Sequence, residues 1–286
     1  MTTDTDRPAI RLQGVTREFR RQRTSLFTPA PVVHALRGVT LDIARGERFG
    51  IVGESGCGKS TLLRIMAGLD QPTAGVVEVE GTDISRLPER QLGFLREQLQ
   101  LVFQDPMGSL DPRMKVRDIV AEPLVAQGKH DTLPRVLELL EAVGLQPEAA
   151  DRYPHQFSGG QRQRISIARA LAPDPHILVA DEPVSALDVS VRAQVLNLIA
   201  ALVDRLSLTL VFVSHDLSVV RHVCDRVAVM SRGEVVEVGP TDQIYDDPQH
   251  PYTRQLIAAA PRLRAALAGR TAADLAADTL AAKETP

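Results

Sequence analysis

Along most of this chain, short apolar runs bounded by turn residues alternate with stretches in which apolar side chains recur every three or four positions. From Ile10 to Gly81 the strand pattern dominates, in Thr40-Leu-Asp-Ile-Ala, Arg48-Phe-Gly-Ile-Val and Gly75-Val-Val-Glu-Val, with one helical run from Lys59 to Leu69. From about Gln91 to Tyr153 the spacing turns helical, as in Leu133, Val136, Leu137, Leu140 and Val143. Gly144 follows where a glycine ends a helix. A helical lobe is expected over about residues 91–158. Beyond it come a helix from Gly160 to Leu171, a strand Ile177-Leu-Val-Ala, a helix from Val189 to Leu206, and strands Thr209–Val213 and Arg226–Met230. Helices alternating with short, continuously apolar strands predict an α/β fold whose parallel sheet is covered on both faces, with ligands bound at the strand ends.

The ends of the chain read differently. Residues 1–9 are polar and expected to be disordered, and the stretch from Ala258 to Pro286 is Ala-rich. There Thr271-Ala-Ala-Asp is a cap signal for a last helix carrying Leu275 and Leu280, with disorder as the alternative. No internal repeat of 20 to 50 residues is present.

Composition narrows the function classes. With 286 residues and 44% hydrophobic content, the chain can bury one large core or two lobes sharing one. Its 33 basic and 36 acidic residues leave no bulk bias toward nucleic acid or an anionic membrane. Cys57 and Cys224 are the only cysteines, with no metal-ligand spacing, and read as reduced thiols. The N-terminus lacks the layout of a secretory signal, and no apolar run approaches the roughly 18 to 20 residues that span a bilayer. A soluble chain is expected.

Three segments carry chemistry. Gly53-Glu54-Ser55-Gly56-Cys57-Gly58-Lys59-Ser60-Thr61 fits the phosphate-binding loop pattern between a strand and a helix. Its glycines let backbone N–H groups turn inward on phosphate oxygens, Lys59 reaches the outer phosphates, and Ser60 can ligate Mg²⁺. Asp181 and Glu182 end the apolar strand Ile177-Leu-Val-Ala. Alone they are equally a solvated turn, but downstream of a phosphate loop they suit a metal ligand and a water-polarising base. Ser158-Gly159-Gly160-Gln161, after Phe157, offers a second set of donors at a helix start, or simply a helix cap.

The chain order of these three segments resembles that of ABC transporter ATPases, and the resemblance runs from about Ile10 to Pro261. It implies a P-loop NTPase core of RecA-like type, with an antiparallel β subdomain and an inserted helical lobe, over residues 10–257. It makes Gln104 in Val102-Phe-Gln-Asp-Pro the Q-loop glutamine, Asp188 in Ser185-Ala-Leu-Asp the D-loop aspartate and His215 in Val213-Ser-His-Asp the switch histidine. Phe19 would stack on adenine, with a core phenylalanine as the alternative and His34 on the same stretch. Gln104-Asp-Pro-Met-Gly-Ser-Leu-Asp-Pro-Arg113-Met and His250-Pro-Tyr-Thr253-Arg-Gln-Leu resemble the extended Q-loop and C-terminal extension of oligopeptide and dipeptide importer ATPases. Nickel and glutathione importers share the class. The tail has no cysteine, so no iron–sulfur cluster is expected.

The family implies a mechanism and an assembly. ATP would be sandwiched between two ATPase subunits, with Ser158, Gly159, Gly160, Gln161 and Asp188 acting on the partner's nucleotide. Lys59 would bind phosphate, Ser60, Gln104 and Asp181 would hold Mg²⁺, Glu182 would polarise the attacking water, and His215 would contact the γ-phosphate. Expected partners are a second, related ATPase subunit, two membrane permeases and an extracytoplasmic substrate-binding protein, with the chain at the cytoplasmic face of the inner membrane. Besides an exporter ATPase and an assembly subunit that binds ATP without hydrolysing it, the rival is a soluble ABC ATPase acting on nucleic acid or ribosomes. It is disfavoured because the chain has no coiled-coil insertion, no second cassette and no basic stripe.

Overall fold

The structure is a computed structural model that describes residues 7–20 and 32–259. In chain order the elements are β1 (Ile10–Arg20), β2 (Val32–Ile43), β3 (Arg48–Val52), α1 (Lys59–Met66), β4 (Ala74–Val79), β5 (Thr82–Asp83), α2 (Gly93–Gln98), β6 (Leu99–Val102) and α3 (Pro106–Ser109). They continue as α4 (Val116–Ala126), α5 (Leu133–Ala142), α6 (Gly159–Leu171), β7 (Ile177–Asp181), α7 (Val189–Leu206), β8 (Thr209–Ser214), α8 (Leu217–Val223), β9 (Arg226–Ser231), β10 (Glu234–Pro240), α9 (Thr241–Asp246) and α10 (Pro251–Ala259).

Two sheets form. One is antiparallel, in the order β2-β1-β4-β5; the other runs β10-β9-β3-β8-β7-β6. In the larger sheet the five strands from β9 to β6 are parallel and β10 joins the edge antiparallel. Strand alternation sends its side chains to two separate cores. Phe49, Ile51, Val179, Val211, Val213 and Met230 pack with α1 and the antiparallel sheet. Leu178, Ala180, Leu210, Phe212, Val227 and Val229 pack with α4 to α8. Both faces being covered is why these strands read as unbroken apolar runs.

The helical lobe is narrower than the sequence suggests. Leu99-Gln-Leu-Val, inside the 91–158 stretch, is β6 and pairs in parallel with β7 from Leu99↔Ile177 to Val102↔Ala180. Four residues are too few to display a period, so the edge strand is hidden behind the helix that precedes it. Gly144 ends α5 as expected: it takes φ +71°, and the Leu145 N–H reaches back to Leu140 O at 2.8 Å. Expected disorder over residues 1–9 does not extend to Ala9, which is fully buried and whose carbonyl accepts the Glu80 N–H at 2.8 Å. Likewise α10 runs past residue 257. The helix signalled at Thr271, with Leu275 and Leu280, lies outside the described residues.

Candidate functional site

The phosphate loop leaves β3, which sits between β9 and β8 in the middle of the sheet, and enters α1. Two glycines are required there by close approach. A Cβ on Gly53 would stand 2.2 Å from the Met230 carbonyl oxygen, and one on Gly58, at φ +113°, would stand 2.6 Å from that of Ala35. Lys59 is only 5% exposed and folds back across the loop, donating from Nζ to Gly53 O at 2.7 Å and Glu54 O at 2.9 Å. No acidic residue occupies the first turn of α1, so the positive end of the helix and the ammonium act together. The result is a fixed anion cradle.

Over this cradle opens a cleft of about 520 Å³, walled by His34 and Ala35 of β2 on one side and by Gln104, Glu182 and His215 on the other, with Ser55, Gly56 and Gly58 to Thr61 as its floor. Glu182 organises the second wall. It follows β7 with φ +44°, a left-handed backbone that costs a non-glycine residue about 1–3 kcal/mol. Its N–H donates to Val213 O at 2.9 Å and its carbonyl accepts from Ser185 Oγ at 3.0 Å, which holds the turn. The carboxylate Oε2 then lies 2.9 Å from His215 Nδ1 and accepts from Gln104 Nε2 at 3.3 Å. Three residues from three separate segments thus meet on one oxygen. The contact turns Nδ1 to the carboxylate and leaves Nε2, the other ring nitrogen, for a different partner.

Asp181, the last residue of β7, has its carboxyl held above the ordinary range, first by burial and then by the Glu182 charge, with Lys59 opposing. Two adjacent carboxylates short of positive charge suit a divalent cation. Ser60 and Gln104 line the cleft, whereas Asp181 does not line it and is tied to it through the charges of Glu182 and Lys59; hydroxyl, amide and carboxylate oxygens are the donor types Mg²⁺ takes alongside phosphate. Among the described residues no group of three or more His, Cys, Asp or Glu could hold a metal ion.

Several expected residues stand elsewhere. Ser158, Gly159, Gly160, Gln161 and Asp188 do not line the cleft. Ser158 caps α6 in a reciprocal box, accepting from Gln161 N at 3.3 Å while Gln161 Oε1 accepts from Ser158 N at 3.0 Å. Gly160 is needed for packing, since a Cβ would meet Val191 Cγ1 at 2.3 Å. Asp188 precedes α7 without a side-chain cap bond.

Two other placements differ from the expected nucleotide contacts. Glu54 and Cys57 line a second cleft, of about 850 Å³, on the outer side of the loop, because the backbone reverses at Ser55 and Gly56 and turns neighbouring residues to opposite sides. Phe19 lies outside the cleft lining, paired with Val33 across β1 and β2 and overlain by the Arg17 guanidinium at 4.5 Å. One residue reaches the loop unannounced by the sequence: Tyr252 of α10 accepts the Glu54 N–H at 3.1 Å. A contact across 198 positions leaves no local signal.

The family model described as ABC transporter matches residues 36–185, which take in the loop, Gln104, the Ser158 segment and Glu182. The chain belongs to the ABC transporter family. A second model, described as oligopeptide/dipeptide transporter, C-terminal region, matches residues 236–283. The dipeptide transport ATP-binding protein DppF of Escherichia coli is 50% identical to this ABC ATPase over 244 residues, 84% of this chain and 73% of that one. The oligopeptide transport ATP-binding protein OppF of Bacillus subtilis is 48% identical over 249 residues, 85% and 82% of the two chains. Among solved structures, the ATP-binding cassette MJ0796, described as a dimer in a post-hydrolysis state bound to ADP and Pi, is 33% identical. It superimposes with a TM-score of 0.72 over 81% of this ABC ATPase and 98% of that chain.

Proposed function

We propose that this ABC ATPase powers peptide import, hydrolysing ATP in the cleft over the phosphate loop. The observation that carries the reading is the Glu182 carboxylate, held at the cleft by a strained turn and touched by both Gln104 and His215. Lys59 and the loop amides bind and orient the terminal phosphates, and Ser60, Gln104 and Asp181 hold Mg²⁺. When bound, the ion neutralises charge on the phosphate oxygens, and phosphoryl transfer depends mainly on such charge stabilisation and placement. Glu182 accepts a hydrogen bond from the attacking water and polarises it. His215, oriented by Glu182 through Nδ1, presents its other ring nitrogen to the γ-phosphate. Phe19 turns from the edge of β1 to stack on adenine, a contact worth about 1–3 kcal/mol at comparable sites.

The Ser158–Gln161 segment and Asp188, standing away from this cleft, complete the site of a second, related ATPase subunit. Of the two permeases, one docks on the groove between α2, β6 and α4, where Leu69 and Phe103 are exposed. Gln104 lies between that groove and Glu182, so nucleotide state and permease state must bias each other reciprocally. A substrate-binding protein delivers cargo from outside the membrane, and this chain lies at the cytoplasmic face. Among the described residues no helix is long and apolar enough to cross a membrane. The names of the relatives and the match over 236–283 support peptide cargo.

The test is ATPase activity and uptake of labelled di- and oligopeptides, nickel and glutathione by the assembled complex. The wild type should hydrolyse ATP and take up peptide. Glu182→Gln should cut turnover by about 100-fold or more while still binding ATP. Uptake of nickel or glutathione alone would overturn the cargo, and turnover indifferent to Glu182→Gln would overturn the mechanism.

A further inference from the structure

The phosphate loop is a thin wall between two clefts. Ser55 and Gly56 line both, Lys59 and Ser60 line only the nucleotide side, and Glu54 and Cys57 line only the outer side. The far wall of the outer cleft is α10. From it the Tyr252 hydroxyl reaches across and accepts the Glu54 N–H at 3.1 Å, while the Glu54 carbonyl accepts Lys59 Nζ at 2.9 Å. The same peptide segment is therefore pinned from both sides.

We propose that Tyr252 is a positioning residue for nucleotide binding, its hydroxyl holding the first turn of the phosphate loop so that the amides beyond it stay aimed at phosphate. The backbone that carries Tyr252 is itself anchored. Glu237 of β10 accepts the Gln249 N–H at 2.8 Å through one carboxylate oxygen and the His250 N–H at 3.0 Å through the other, and the Tyr252 N–H donates to His250 Nδ1 at 3.2 Å. Arg254 ties the same turn to Pro248 O and Gln249 O, each at 3.0 Å. The start of α10 is thus a rigid bracket on the edge strand, and Thr253 beside Tyr252 is fully buried. Burial, more than the opposing Glu54 hydrogen bond, raises the Tyr252 hydroxyl above the usual tyrosine range, so it stays protonated at neutral pH. An empty loop has no phosphate to organise it, and a preformed cradle binds more tightly than one ordered by its ligand.

The inference rests on the nucleotide cleft described above, and the experiment separates the two. ATP and ADP affinities are measured by fluorescent-nucleotide displacement on the full chain, with thermal melts with and without nucleotide, for wild type, Tyr252→Phe and Glu237→Gln. Failure of the wild type to bind either nucleotide would sink the functional reading itself. If the wild type binds, Tyr252→Phe should weaken ATP and ADP alike by roughly 2- to 10-fold, the range of one neutral hydrogen bond. Its nucleotide-free melting temperature should be unchanged and its turnover at saturating ATP in the assembled complex preserved. Glu237→Gln should act in the same direction, and the double variant should lose less than the product of the two single losses. Wild-type nucleotide affinity in Tyr252→Phe would overturn the proposal, as would a lowered melting temperature without any affinity change.

Discussion

At Asp181 two demands meet on one side chain. As the proposed Mg²⁺ ligand the carboxyl belongs near phosphate, yet its position at the end of β7 beside Glu182 is buried and already negative, so its proton is held more tightly in the folded chain than in the unfolded one. Below the ordinary carboxylate range the group is protonated in both states and its charge costs nothing. As pH rises through the folded value, the ionised form is destabilised only in the native state, and stability falls. Asp181→Asn should therefore melt a few degrees higher than wild type in the nucleotide-free chain at neutral pH. Melts from about pH 8 down to about pH 4 should show the two curves converging. The same variant should lose Mg²⁺-dependent hydrolysis, because the amide cannot supply the negative ligand.

The helix α6 works at both of its ends. Its N-terminus carries the Ser158 box and the close contact of Gly160 with Val191 on α7; near its C-terminus Arg169 donates to Ser109 O at 2.5 Å, on the segment that follows Gln104. Gly160→Ala places a methyl group where Val191 already stands, and Val191 is too short and stiff to move far. A destabilisation of about 1–3 kcal/mol is expected by chemical denaturation, with Val191→Ala restoring most of it. A full loss unrelieved by Val191→Ala would mean that the glycine is needed for its backbone alone. The sequence marks Gly160 as a backbone donor at a helix start; its packing role depends on α7, a later element of the chain, and has no local trace.

On the scale of the whole molecule, the chain holds one phosphate loop and one Ser158 segment that do not share a cleft. Nucleotide binding and the completion of a hydrolytic site are then separable. Ser158→Arg should leave the nucleotide affinity of the isolated chain unchanged, measured by fluorescent-nucleotide titration. In the assembled complex it should reduce turnover about tenfold or more, through the subunit opposite. Weakened binding in the isolated chain would place Ser158 in its own cleft and contradict the arrangement.

The residues that make up the phosphate loop, the acidic strand end and the α6 start are contiguous in sequence, and their chemistry is local: glycines for a tight turn, a lysine for charge, a serine for a cap. Hydrophobic period likewise distinguishes strands buried on both faces from amphipathic helices, and so the α/β class is legible in the order of residues alone. Tertiary structure decides what depends on approach across the sheet. It brings Gln104 and His215 onto Glu182, turns Glu54 and Cys57 outward, leaves Phe19 beyond the cleft, and sets Tyr252 against the loop. The contacts of Gln104 and His215 with Glu182 and of Tyr252 with the loop join residues far apart in the chain, and they are determined by strand order and by where the two cores let the backbone pass.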